Sequence, residues 1–238
     1  MAKAVEWGVI ADHPLRQLKL LKIDSLAKVR YLDKGEEARL KEVMLRRDDE
    51  LKNARSRANE WRRKRGYNLY ADLSQVIFAD YMTPMILLSL NTGLRQGELF
   101  NLEWGNVDLD RAIITVVGDT AKSGKTRHIP LNTIALQILN VWRRQTVQCV
   151  ISGYIFTNQQ TGKTLGNVRN AWMNILKLAG IENFRWHDMR HHFASKLVMN
   201  GVDLNTVREL LGHSDIKMTL RYAHLAPEHK ANAVAKLL

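Results

Sequence analysis

The chain has 238 residues, 36 Lys+Arg against 24 Asp+Glu, a formal charge of +12, one cysteine and 45% hydrophobic residues. With only 4 Pro and 14 Gly it is neither collagen-like nor a disordered polymer, and a chain of this length buries a substantial core. Cys149 cannot close an internal disulfide and reads as a small buried apolar group. The opening residues carry no signal-peptide core and no stretch reaches the roughly 18 apolar residues that cross a bilayer, so the expected setting is the reducing cytoplasm with no membrane partner.

The cationic excess suits a polyanion, nucleic acid before an anionic membrane surface, because clustered Lys and Arg release counterions from a phosphate backbone. In chain order, residues up to Ile10 read as the tail of an amphipathic helix with Trp7, Val9 and Ile10 to pack. Ala11-Asp12-His13-Pro14 ends it, since a residue before proline leaves the α region. Residues 1–22 are therefore expected to be the remnant of an upstream domain and its linker, and 23–238 the main domain. Residues 35–65 read as a charged helix. Its ten basic and five acidic residues from Lys41 to Arg65 suit a solvated, salt-bridged face, and the closing Arg62-Arg63-Lys64-Arg65 run would also suit a phosphate contact. Thr83-Pro84 before Met85 to Leu90 predicts a core helix with Thr83 as N-cap, Pro84 in its first position and Gly93 just past its end. The pattern then shortens to period two over residues 112–117 and 126–131, which predicts two antiparallel strands joined by 118–125. Helices follow over 134–147, 167–178, 187–199, 204–211 and from 227 onward, so the fold class is α+β, mainly helical with one small antiparallel sheet.

Three motifs compete for the chemistry. Gly118 to Thr126 superficially suggests a phosphate-binding loop, but five residues rather than four separate its glycines, and Arg127-His128-Ile129-Pro130 continues as a strand where a helix is needed. His187 and His191 share a helix face at zinc-binding spacing. Asp188 stands where a zinc-protease helix has Glu, however, and Arg190 sets a cation beside the same face, which argues against a metal. His187 with Arg190, at i and i+3, instead presents an imidazole and a fixed guanidinium to one phosphate. That pair has company in Thr92-Gly93-Leu94-Arg95-Gln96-Gly97-Glu98-Leu99 upstream and, downstream, in Leu211-Gly212-His213-Ser214 with Tyr222 nine residues after the histidine.

On these elements the sequence resembles the tyrosine recombinase family, the phage integrases and site-specific recombinases, over nearly its whole length. Thr92 to Leu99 resembles the family's first arginine box, Thr120 to Leu131 its β-hairpin lysine segment, His187 to Arg190 its His-x-x-Arg box, and Leu211-Gly212-His213 with Tyr222 its closing elements. The resemblance implies a tyrosine-recombinase catalytic domain, and Trp7 to Pro14 resembles the end of the core-binding domain that precedes it in family members.

The resemblance also implies roles. Tyr222 would attack a scissile DNA phosphate, leaving a 3'-phosphotyrosyl enzyme and a free 5'-hydroxyl. A phenol with a free pKa of about 10 needs a base or a cationic surround to do so. Arg95 and Arg190 would clamp the non-bridging oxygens. Lys122 would protonate the leaving oxygen, with Lys125 its competitor, and Lys125 and Arg127 would contact DNA. His187 would accept or relay the tyrosine proton and His213 would hydrogen-bond the phosphate. Glu98 is expected to orient Arg95, and His191, His192 and His224 to be structural. No cofactor, ATP or metal is expected. The expected partners are double-stranded DNA and further copies of the chain, in a homotetramer held by the C-terminal segment from Pro227. Host or phage accessory DNA-bending proteins, met in the nucleoid, are allowed by the same resemblance. Two other readings stay open at this point: a non-catalytic DNA-binding remnant, and a tyrosine enzyme that nicks or relaxes DNA without exchanging strands.

Overall fold

The computed structural model describes residues 2–18, 29–118, 126–146, 153–158 and 164–226. The helices are α1 (Ala2–Glu6), α2 (Lys34–Arg63), α3 (Met82–Thr92), α4 (Gln96–Phe100), α5 (Thr133–Thr146), α6 (Arg169–Leu178), α7 (Asp188–Met199), α8 (Leu204–Leu211) and α9 (Lys217–Leu220), with strands β1 (Val107–Asp108), β2 (Ile113–Val116) and β3 (Arg127–Pro130) between α4 and α5. Among the described residues no helix is long and apolar enough to cross a membrane. The α+β class thus holds. The helix expected from 227 onward lies outside the described residues.

Helix α3 is the axis of the molecule. Met82, Met85, Ile86 and Leu88 on it are buried, and it packs against α5 on one side and α7 on the other. It begins one residue before Thr83, the expected cap. Asp80 Oδ1 accepts from the Met82 N–H at 2.9 Å, which satisfies one of the free amides of the first turn, while Thr83 turns into the core at 3% exposure. Pro84 costs nothing in this first turn, because its missing N–H would have had no intrahelical partner. At the other end Gly93 adopts φ +61°, and an added Cβ would stand 2.4 Å from the Phe193 ring of α7. Two helices therefore meet closely where the chain leaves α3.

Helix α2 opens on a reciprocal cap. Asp33 Oδ1 accepts from the Glu36 N–H at 2.7 Å, and Glu36 Oε2 from the Asp33 N–H at 3.1 Å. Its first half packs inward through Leu40, Val43 and Met44, and its second half runs out into solvent as the charge pattern predicts. The expected helix through Ile10 stops at Glu6 instead, where Gly8 at φ +69° turns the chain, and no residue of α1 is buried.

The sheet has order β1-β2-β3, all antiparallel, with Ile114 opposite Ile129 and Val116 opposite Arg127. The period-two pattern predicts two strands; the short β1 adds a third, pairing Val107 with Ile114. Ile114, Val116 and Ile129 face the core. So does Arg127, which shares their side of the pleat.

Candidate active site

The end of α8 organises the site. Leu210, Leu211 and Gly212 carry carbonyls that have no partner inside the helix, at the end where the helix dipole is negative. Each accepts a hydrogen bond from a different arginine: Leu210 O from Arg127 Nε at 3.1 Å, Leu211 O from Arg190 Nη2, and Gly212 O from Arg95 Nη2 at 3.1 Å. Gly212 sits at φ +64°, where a Cβ would stand 2.8 Å from the Arg127 side chain, so only glycine gives the turn and the close approach together.

Glu98, on α4, ties two of these arginines. Its Oε1 accepts from Arg95 Nη1 at 2.8 Å and from Arg127 Nη1 at 3.0 Å; its Oε2 accepts from the Arg95 N–H at 2.8 Å and from Arg127 Nη2 at 2.6 Å. Burial would raise this carboxyl, but the paired Arg127 and the hydrogen bonds from Arg95 overcome it and hold the pKa at about 2. Glu98 therefore orients Arg95, as expected. Arg127 departs from its expected place as an outward DNA contact: it is 8% exposed, with its fork engaged by Glu98 from behind.

Arg190, three residues into α7, is 3% exposed and donates to Gly93 O at 2.8 Å as well as to Leu211 O. No ion pair neutralises it among the described residues. Burial and the neighbouring Arg95 push its pKa down to about 9, which leaves it charged at neutral pH. A buried guanidinium held, among the described residues, by carbonyl dipoles is an electropositive site suited to an anion.

Arg95, His187, Arg190, His191, His213 and Tyr222 line one cleft of about 440 Å³. His213 lies just past α8 and its Nδ1 is 2.9 Å from Thr219 Oγ1 of α9; burial and the cations Arg190 and Arg95 push its pKa down to about 3, so the ring is neutral. His187 is lowered by the same causes, burial first and Arg190 next. Tyr222, at the end of the turn that follows α9, packs on Ala194, Val198, Val207 and Leu211 and is 1% exposed. Burial pushes its phenol up to about 12, against the pull of Arg190 and Arg221.

The structure thus brings together five of the expected residues: Arg95, His187, Arg190, His213 and Tyr222. Lys122 and Lys125 lie outside the described residues. One contact in the cleft differs from what the sequence predicts. His191, expected to be structural, places Nδ1 2.6 Å from the Tyr222 hydroxyl. Its position one helical turn after His187 was visible, but its neighbour lies 31 residues away. The His187 and His191 rings meet edge to face at 5.0 Å, and among the described residues no third His, Cys, Asp or Glu joins them in a metal-holding group. His192 is structural, its Nδ1 accepting from the Leu32 N–H at 3.2 Å and so pinning the segment that enters α2.

The model of the phage integrase family matches residues 69–229. The integrase of Salmonella phage P22 is 34% identical over 158 residues, covering 62% of this chain and 40% of that protein. A XerC-like tyrosine recombinase of Caldanaerobacter subterraneus subsp. tengcongensis is 32% identical over 191 residues, covering 66% of this chain and 49% of that protein. The chain therefore spans half or less of the length of these two relatives. Among solved structures, the catalytic domain of bacteriophage HP1 integrase superposes with a TM-score of 0.57 at 24% identity, over 87% of this chain and 94% of that one. XerH recombinase bound to a palindromic difH substrate superposes with a TM-score of 0.63 at 19% identity, over 92% of this chain and 58% of that one. These structures share the fold. With the family's matched segment spanning α3 through the cleft to Tyr222, the chain belongs to the phage integrase family.

Proposed function

We propose that the chain is the catalytic part of a site-specific DNA recombinase that cleaves and rejoins strands through a 3'-phosphotyrosyl intermediate. The observation that carries this reading is the buried, unneutralised Arg190 beside Arg95 in the cleft that holds Tyr222. Among the described residues each of these two arginines uses two of its five N–H donors, and the others can grip the non-bridging oxygens of a phosphodiester. The tyrosine oxygen attacks phosphorus while the P–O5' bond breaks. The charge that builds on the equatorial oxygens falls between two fixed guanidiniums, whose orientation is set in advance by the α8 carbonyls and Glu98.

His213, neutral and held by Thr219, adds a hydrogen bond to the same phosphate. Lys122 protonates the leaving 5'-oxygen; the sequence motif alone supports that role. Lys125 contacts DNA. Arg127 acts from behind, joining the strand that leads out of the hairpin to Glu98 and hence to Arg95. Double-stranded DNA as the partner is supported by the cationic cleft and by the DNA complex of the structural relative XerH. Assembly into a tetramer through the segment from Pro227 rests on the family resemblance, as does the division into an upstream remnant, 1–22, and a catalytic unit, 23–238.

The test is to incubate the protein and Tyr222→Phe with fragmented DNA from the source replicon in EDTA, quench in detergent and seek a nucleotide on Tyr222 by mass spectrometry. The expected result is an adduct with the native protein and none with the variant, which still binds DNA. Binding without an adduct in the native protein would leave a DNA-binding module, and an adduct that survives Tyr222→Phe would move the nucleophile elsewhere.

A further inference from the structure

We infer that His191, rather than His187, takes the proton from Tyr222 as the nucleophile attacks. This deepens the proposed function and rests on it.

The His191 Nδ1 lies 2.6 Å from the Tyr222 hydroxyl, while none of the hydrogen bonds among the described residues joins His187 to that oxygen. A general base must reach the proton it removes, and among the described residues His191 is the group that does. The contact also has a direction. Burial first, then the neighbouring His187, keep the His191 ring neutral with its pKa near 4, so one ring nitrogen carries a hydrogen and the other has a free lone pair. A phenol pushed up to about 12 keeps its own hydrogen and donates it. Proton transfer to His191 requires this bond to run from Tyr222 Oη–H to His191 Nδ1, with the imidazole hydrogen on Nε2.

The surroundings say when the proton moves. The charged and titratable groups that face His191 are His187, Asp188, Arg190 and Arg221, besides Tyr222. Asp188, which also accepts from the Arg185 N–H at 2.6 Å and pairs with the Arg185 guanidinium, favours an imidazolium; burial first, then His187 and the cations Arg221 and Arg190, disfavour it. A phosphodiester gripped by Arg95 and Arg190 offsets those cations and favours the imidazolium. Proton transfer is thus coupled to substrate arrival. As the Oη–P bond forms, the phenolic proton passes to His191 Nδ1, the P–O5' bond breaks, and the leaving oxygen takes its proton from a separate acid. In the reverse step the imidazolium returns the proton to the departing tyrosine. His187, packed edge to face on His191, is a positioning residue for it.

Two measurements test this. In the free protein, nitrogen-15 NMR of the histidine rings at neutral pH is expected to show His191 with Nδ1 unprotonated and accepting a hydrogen bond, and that signal is expected to shift in Tyr222→Phe. A hydrogen on Nδ1 would overturn the proposal without any reference to DNA. The second uses the DNA duplex recovered from the native adduct, in single turnover. His191→Asn keeps a polar atom where Nδ1 was but cannot take a proton, so adduct formation is expected to slow about 10²-fold with binding unchanged. Difluorotyrosine at position 222 is a more acidic phenol that depends less on a base, and is expected to restore the His191→Asn rate to within about tenfold while leaving His187→Asn uncorrected. Full activity in His191→Asn, or rescue confined to His187→Asn, would overturn the assignment. If the native protein makes no adduct, the proposed function fails, and the NMR measurement still decides the hydrogen bond.

Discussion

Two groups of arginines sit in this molecule, and the more conspicuous one in the sequence is the less consequential in the structure. At the outer end of α2, Arg62 stacks on Tyr70 at 4.2 Å and Arg65 on Trp61 at 4.2 Å, while Arg55 and Arg62 donate to the carbonyls of Ala71 and Asn68. These guanidiniums fasten the returning loop onto the helix, along with Asn59, which bonds the Tyr70 N–H and carbonyl at 2.8 and 3.0 Å. Arg63 and Lys64 beside them are solvated. In the cleft, Arg95, Arg127 and Arg190 are scattered through the sequence, yet they converge on three consecutive carbonyls and one carboxylate. The comparison teaches that desolvation and convergence, and not the local density of positive charge, make a phosphate-binding centre.

Substitutions that treat the two groups alike should therefore have unlike effects. The largest is expected from Arg127→Met, which leaves Glu98 buried with half of its partners. Breaking a buried pair in this way costs about 3–5 kcal/mol, read as a lower urea midpoint at neutral pH. The same pair shapes acid stability. The Glu98 pKa falls from 4.5 to about 2 on folding, so its contribution of about 3 kcal/mol is present above the unfolded value and is lost as the pH drops toward the folded one. In Arg127→Met that acid-dependent loss should shrink. An unchanged acid limb would mean that Glu98 is held by Arg95 alone.

Next is Arg190→Lys. An ammonium cannot bridge Gly93 O and Leu211 O while still offering a flat fork to a phosphate, so adduct formation should fall by about 10²–10³ with DNA binding largely kept. A loss below tenfold would show that charge suffices there and geometry does not matter. The smallest effect is expected from Arg62→Ala, which removes a half-buried stacking on Tyr70 and a hydrogen bond to Asn68 O, together worth about 1–2 kcal/mol, and should leave the adduct rate unchanged. A large rate loss in that variant would turn the α2 arm into part of the site and erase the contrast.

Much of this was readable along the chain, and the exceptions have identifiable causes. The helix over 204–211 and the left-handed glycine after 92 follow from local rules, because caps and periodicity act within a few residues. The start of α3 was displaced because a carboxylate two residues upstream, Asp80, took over the capping amide. Arg127 is more instructive. It alternates with Ile129 and Leu131, so the pleat itself places it inward, but a lone arginine on an apolar face reads as an error unless its buried partner is known, and Glu98 lies 29 residues earlier. His191, expected to be structural, hides its contact for the same kind of reason: its spacing from His187 is local, but only the fold brings Tyr222 to its ring and the Leu32 amide to that of His192.

The amino-acid sequence by itself determined the α+β class, most helix spans, the family and five of the groups in the cleft, because propensity, capping and motif spacing are properties of short stretches. Only the tertiary structure decided which of those groups are neutral, which arginine faces the cleft and which supports it from behind, and which histidine holds the tyrosine. Those are outcomes of burial and of contacts between segments remote in sequence, and a pKa or a proton's direction has no value until the neighbours that set it are in place.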